Sequence, residues 1–238
     1  MESKIAIQDE QGINQVYATI GSAIERKKRR NEWFIKQMKV LDARSVLEIG
    51  CGDGEMADYI ARNTSVTMTA IDISPIFIAQ ARERFQQPNL NYELINFMDL
   101  DDKSLGKFDF VFGNGILHHL VKQLPEVLKR LRSIVRPKGG IAFIEPNLFN
   151  PYCAFIFGTA IGRRWARLDP DEMAFSARHI ESLLVAAGWQ DVSVASRDFL
   201  VPGLPRSFVG PIEWLEPALE ATSLSSWLAQ SNFIFCKV

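Results

Sequence analysis

Val46-Leu47-Glu48-Ile49-Gly50-Cys51-Gly52-Asp53-Gly54-Glu55 runs from apolar residues through an acid into three glycines at alternate positions. A helical pattern starts at once in Met56, Ala57, Tyr59, Ile60 and Ala61. This order predicts a strand, a tight turn and a helix. Glycines in such a turn allow positive φ and let a ligand approach main-chain N–H groups that a Cβ would shield. A small polar ligand is expected there.

Downstream, the β-branched run Val66 to Ile71 ends in a second acid, Asp72, and Ser74-Pro75 opens a helix that reaches Phe85. Leu90 to Ile95 reads as a third strand closing at Asn96-Phe97, and Lys107 to Phe112 as a fourth closing at Gly113-Asn114-Gly115. Val127, Leu128, Leu131, Ile134 and Val135 share one helical face, with Pro137 and Gly139-Gly140 expected to stop that helix. Ile141 to Ile144 is a fifth strand, ending at Glu145-Pro146-Asn147. Alternating strands and helices predict a parallel sheet covered on both faces. Leu148 to Leu168 is apolar without clean periodicity and reads as an insertion. A helix from Ser176 to Ala187 stopped by Gly188 and a sixth strand from Val192 follow; Pro202 to Gln230 is again irregular and apolar, and Asn232 to Val238 is a last strand. Upstream, Ile13, Val16, Tyr17, Ile20 and Ile24 recur at helical spacing, and the five consecutive cations Arg26 to Arg30 read as a solvated helix face, with an anion site as the alternative.

The chain has 238 residues, enough for one large α/β domain with a cap. Its 27 Lys+Arg against 28 Asp+Glu give a net charge of -1, without a global field for nucleic acid. Cys51, Cys153 and Cys236 are odd in number and widely spaced, which fits a reducing cytoplasm and neither a disulfide framework nor a metal site. The first residues lack the layout of a signal peptide, and no stretch reaches the roughly 18 apolar residues of a membrane span.

In an open parallel sheet, ligands bind beyond the carboxyl ends of the strands, and an acid about twenty residues after the glycines suits the two hydroxyls of a ribose. A nucleoside cofactor is therefore expected. Glu55 stands where a dinucleotide fingerprint has its last glycine, and none of the four tyrosines has a lysine four residues on, which weakens a dehydrogenase reading. Val46 to Gly54, Ala70 to Ser74, Phe108 to Val111 with Ile116-Leu117-His118-His119-Leu120, and Leu131 to Glu145 containing Arg136-Pro137-Lys138-Gly139-Gly140 together resemble the class I S-adenosylmethionine-dependent methyltransferases.

That resemblance implies a Rossmann-like three-layer α/β sandwich with a seven-stranded, mostly parallel sheet, an antiparallel last strand and apolar cap insertions. It divides a single domain 1–238 into an N-terminal helical segment (1–40), a cofactor-binding core (41–147), cap insertions (148–175 and 202–230) and the end of the sheet (176–201 and 231–238). S-adenosylmethionine is the implied cofactor and S-adenosylhomocysteine its product. Gly50, Cys51, Gly52 and Gly54 would hold the methionine part, with Glu48 near its ammonium and Asp72 on the ribose. Ile73, Asn96 and Phe97 would meet the adenine, and Asn114 and Gly115 would line the path of the methyl group. Acceptors that must lose a proton need a base, for which Glu145, His118 and His119 are placed after their strands. The aromatic insertions suit a small, lipophilic acceptor: a lipid, quinone, glycan or secondary metabolite. A protein methyltransferase, a non-catalytic S-adenosylmethionine-binding partner and an NAD(P)-dependent oxidoreductase are the alternatives. Trp214, Leu215, Leu219 and Trp227 are expected to fold back on the domain, with a homodimer interface or a peripheral membrane contact as the other readings.

Overall fold

The computed structural model describes residues 21–99, 106–200, 206–222 and 224–238. The helical periodicity at 13–20 and the insertion at 202–205 lie outside these residues. The elements are α1 (Gly21–Val40), β1 (Ser45–Ile49), α2 (Glu55–Asn63), β2 (Thr67–Asp72), α3 (Pro75–Arg84), β3 (Leu90–Leu94), β4 (Phe108–Asn114), α4 (Leu124–Ile134), β5 (Val135–Pro146), α5 (Pro151–Gly158), α6 (Ala160–Trp165), α7 (Ala177–Ala186), β6 (Gln190–Arg197), α8 (Val209–Glu220), α9 (Ser225–Leu228) and β7 (Ser231–Lys237). The strands lie in the order β3-β2-β1-β4-β5-β7-β6. All pairings are parallel except those of β7, which runs antiparallel to both β5 and β6. The chain winds outward from β1 to β3 and then returns to β4, so the strand order reverses between β1 and β4. That is where a ligand crevice opens.

Alternation along each strand divides the core into two layers. Leu47, Ile49, Val111, Ile141 and Phe143 face α4 and α7, whose Val127, Leu128, Leu131, Ile180 and Leu184 cover them. Val46, Met68, Ala70, Phe110 and Phe112 face the opposite way, against Phe34 and Met38 of α1, Ala57 and Ile60 of α2, and Ile78 of α3. Phe34 packs at 4.7 Å on Phe112, which fixes α1 across the sheet.

Two local features differ from the sequence reading. Arg136-Pro137-Lys138-Gly139-Gly140 lies inside β5: pairing with β4 resumes at Val135, and the register jumps before Gly140 pairs with Phe110. A bulge of this kind tolerates a proline that a regular ladder would not. The insertions are helical where no helix was expected. Asn150 caps α5 by accepting from Tyr152 N and Cys153 N, with Pro151 at the first helical position, and Thr159 caps α6 by accepting from Gly162 N. α5 is apolar on every face and α6 is only six residues long, so no 3.6-residue period shows although the caps remain.

Buried asparagines join the two insertions. Asn147 Nδ2 donates to Ser226 O (2.8 Å) and Ala229 O (2.9 Å), and Asn150 Nδ2 donates to Leu228 O (2.7 Å). Asn232 Nδ2 donates to Phe175 O at 3.0 Å, and Phe149 stacks on Trp227 at 5.4 Å. Trp214 is nevertheless 80% exposed and Trp227 59%, so neither is folded into the core. Among the described residues no helix is long and apolar enough to cross a membrane. Asn147 is fully buried, and replacing it by Ala strips two carbonyls of their donor. Asn147→Ala is expected to lower unfolding stability by about 2–3 kcal/mol in urea titrations; a loss below about 0.5 kcal/mol would show that these bonds do not hold the insertions together.

Candidate functional site

The turn after β1 is built for close approach. Gly50, Gly52 and Gly54 all adopt positive φ (72°, 52° and 82°). At Gly54 a Cβ would sit 2.7 Å from the hydroxyl of Tyr92, which itself donates to Gly54 O at 3.1 Å. Gly50 N and Cys51 N both bond Ile71 O, which fastens the turn to β2. Asp72 closes the arrangement by accepting from Gly52 N (2.8 Å) and from Ser74 N (2.9 Å). The expected ribose acid thus lies beside the glycine turn. Ile73 next to it is 42% exposed, while Phe97 is buried. Asn96 has both ends of its amide engaged locally, accepting from Met98 N and donating to Asp99.

Glu48 lies under the turn, 2% exposed, and its Oε2 has no partner among the described residues. Burial, and then the charges of Asp72 and Asp53, raise its carboxyl well above the ordinary value of 4.5. Cys51 is buried beside it, and burial pushes that thiol far up, away from any nucleophilic role.

The turn after β4 faces the glycine turn. Gly115 takes φ 72° and its N–H bonds Ile144 O at 2.8 Å. Ile116 packs against Gly50: a Cβ on Gly50 would meet Ile116 Cδ1 at 2.9 Å. Glu145, at the end of β5, points into this turn with its side chain wholly buried. Its Oε1 accepts from Ile116 N (3.0 Å) and Leu117 N (2.8 Å), and its Oε2 accepts from His118 N (3.2 Å). The same Oε2 lies 2.9 Å from His118 Nδ1. With Nδ1 held by the carboxylate, His118 presents Nε2 outward. The ring is 12% exposed and meets the edge of Phe157 of α5 at 5.9 Å.

His119 stacks on His118 at 4.0 Å but pairs elsewhere, its Nδ1 being 3.2 Å from Glu172 Oε1. His118, His119 and Glu172 each bring one potential metal ligand within 4.8 Å of the others, a constellation that the sequence reading did not contain. Glu172 comes from the segment after α6 and carried no local signal. Asn114, at the end of β4, accepts from Arg30 Nη1 at 3.0 Å. Arg30 also lay outside the expected site.

Two pH dependences follow. The raised carboxyl of Glu48 favours the folded state most at low pH, and that contribution is lost as pH rises above 4.5 towards the folded-state value. Glu48→Gln is expected to gain unfolding free energy relative to the parent as pH is raised from 4.5; a difference that stays flat with pH would refute this. At His119 burial disfavours the cation, but Glu172 outweighs it and raises the ring above 6.5. At Glu172 burial is likewise outweighed by His119, and the carboxyl falls below 4.5. The His119 contribution is complete below 6.5 and fades at higher pH, whereas that of Glu172 is complete above 4.5 and fades in acid. Glu172→Gln should therefore cost most stability between these values, as read from melting temperatures over a pH series, and an equal cost at pH 9 would contradict the pairing.

A model of the methyltransferase domain family matches residues 47–141. An uncharacterized methyltransferase of Mycobacterium tuberculosis is 34% identical over 120 residues, covering 49% of this chain and 59% of that protein. A ubiquinone biosynthesis O-methyltransferase of Coxiella burnetii is 27% identical over 128 residues, 52% of this chain and 53% of that one. The chain thus spans between half and three-fifths of these curated relatives. The crystal structure of a SAM-dependent methyltransferase from Archaeoglobus fulgidus superposes with a TM-score of 0.65 at 22% identity, over 90% of this chain and 94% of that one, a likeness of fold. Across its glycine turn, its acid after β2 and its β4 and β5 segments, the chain thus matches a methyltransferase domain over residues 47–141, and it has the fold of S-adenosylmethionine-dependent methyltransferases.

Proposed function

We propose that this protein transfers a methyl group from S-adenosylmethionine to a small, lipophilic acceptor from which a proton must be removed. The observation that carries this reading is the 2.9 Å contact between His118 Nδ1 and the buried carboxylate of Glu145. S-adenosylmethionine, when bound, supplies an electrophilic methyl group on a sulfonium. The residues present fit such a group: at Gly52 the space a Cβ would fill is open, and Glu48 Oε2 is a buried acceptor awaiting a donor such as an ammonium. Asp72, which accepts from Gly52 N and Ser74 N beside the turn, would take the ribose hydroxyls; Ile73, which is exposed, would cover the adenine, and Asn114 and Gly115 would border the methyl path.

Glu145 is the positioning residue and His118 Nε2 the base. The carboxylate fixes the tautomer with Nδ1 protonated, holds the ring in one orientation and stabilises the imidazolium formed when Nε2 takes the acceptor's proton. His119, paired with Glu172, anchors the segment after α6 above the site and is assigned no proton transfer. Phe157 against His118 and the stacked pair Phe149–Trp227 give the insertions an apolar character that suits an aromatic or lipid-like acceptor. The O-methyltransferase name of the Coxiella burnetii relative agrees with a hydroxyl acceptor.

The test is S-adenosylhomocysteine formation across a panel of phenols, carbon acids and amines. Turnover is expected with phenols or carbon acids, and His118→Ala should lower kcat on them by about 10²–10⁴-fold while S-adenosylhomocysteine affinity stays within about twofold of the parent. Unchanged turnover in His118→Ala, or activity restricted to amines that need no base, would sink the proposal.

A further inference from the structure

Within the basic run on α1 Lys27 and Lys28 are exposed, but the arginines are not. Arg26 and Arg30 turn inward, with side chains 14% and 17% exposed, onto Asp198, which follows β6 and is itself buried. Arg30 is fully committed: Nε and Nη2 go to Asp198, Nη2 also to Ser231 Oγ at 2.8 Å, and Nη1 to Asn114. It thereby ties together the ends of β4 and β6 and the start of β7, all at the carboxyl edge that holds the glycine turn. Arg26 is committed less, its bonds to Asp198 at 2.9 and 3.1 Å both coming from Nε. Arg29 pairs through Nη2 with the buried Glu216, and its Nη1 is buried without a partner among the described residues.

These side chains border a cavity of about 230 Å³, into which four arginines and three acids project. The acids do not neutralise it: Arg197 and Glu220 pair with each other, Glu32 lies near Lys28, and Asp198 is shared by two arginines. With Arg29 matched by Glu216, the surplus is that of Arg26 and Arg30 over the single charge of Asp198, and Arg29 Nη1 has no acceptor among the described residues. One wall is aromatic, with Trp33 and Phe233 edge to face at 4.9 Å.

We propose that this cavity binds an oxyanion, a carboxylate or phosphate, carried by the methyl acceptor on an apolar body. The guanidinium fork matches the geometry of both anions. The volume admits the anionic group and a few attached atoms, and Trp33 with Phe233 offers the apolar surface next to it. Asn114 connects the cavity to the turn that carries His118. Assignment of the anion to the acceptor rests on the methyl-transfer reading above, whereas anion binding at the arginines stands without it.

The experiment is isothermal titration of sodium benzoate and of sodium phosphate, at constant ionic strength, into the full chain saturated with S-adenosylhomocysteine. Saturable binding of at least one is expected, benzoate marking a carboxylate site and phosphate a phosphoryl site. Arg26→Met and Arg29→Met should each weaken it at least tenfold, with S-adenosylhomocysteine affinity within about twofold of the parent. If Arg26→Met fails to fold by circular dichroism, Arg29→Met decides, since Arg29 sits at the rim with its side chain 30% exposed. Three results would overturn the proposal: no saturable binding of either anion, anion binding unchanged in the variants, or S-adenosylhomocysteine affinity falling as far as anion affinity, which would give the arginines to the cofactor's own carboxylate. Failure of anion binding with intact S-adenosylhomocysteine affinity would leave the methyl-transfer reading standing.

Discussion

A carboxylate removed from water must be supplied with donors where it is buried. Glu145 receives them from the backbone of Ile116, Leu117 and His118 and from the His118 ring. In receiving them it dictates the shape of the β4 turn, and that shape presses Ile116 against Gly50. Gly113 is small for the same reason, since a Cβ there would meet Ile116 at 2.7 Å and Ile49 O at 2.9 Å. The two loops that frame the crevice are thus held in register by one buried acid on a third strand. The histidine that faces the crevice is oriented by the same group.

The parallel core could be read from the chain because its signals are local. Each strand ends in an acid, an amide or a glycine at the ligand edge, and Ser74-Pro75 announces its helix within two residues. The placement of Asp72 beside the glycine turn follows from parallel pairing of β1 with β2, where Ile49 lies opposite Ile71. The cap helices left no such trace, since α5 has no polar face to reveal its period and α6 is too short to show one; only Asn150-Pro151 and Thr159 marked their starts. The inward arginines were unreadable for a different reason. A basic run is solvated unless acids are brought to it, and Asp198 lies 168 residues beyond Arg30. His118, His119 and Glu145 could be set at the ligand edge from their positions after the strands, yet the bond between His118 and Glu145, and the partner Glu172, depend on the approach of separate elements.

The ligand edge therefore has two halves of different construction. Around β1 and β2 it is held by short-range contacts: main-chain bonds from Gly50 and Cys51 to Ile71, Asp72 on Gly52, and Tyr92 on Gly54. Such a site needs little ordering on binding. Around β4, β6 and β7 it is assembled from side chains far apart in sequence, through Arg30, Asp198, Asn114 and Ser231.

The asparagine bonds between the insertions have a kinetic meaning. Asn147 and Asn150 find their acceptors 78 to 82 residues later, and β5 gains its β7 neighbour over a similar span. Contacts of such sequence separation form late, after the loop-closure entropy has been met by other interactions. During synthesis the sheet from β1 to β5 can assemble while α5 and α6, with their apolar surfaces, still lack the segment that covers them. Until residues 226–229 have emerged, Asn147 and Asn150 lack their acceptors, and the apolar α5 lacks the segment that packs on it, the condition under which exposed apolar surface invites association or chaperone binding.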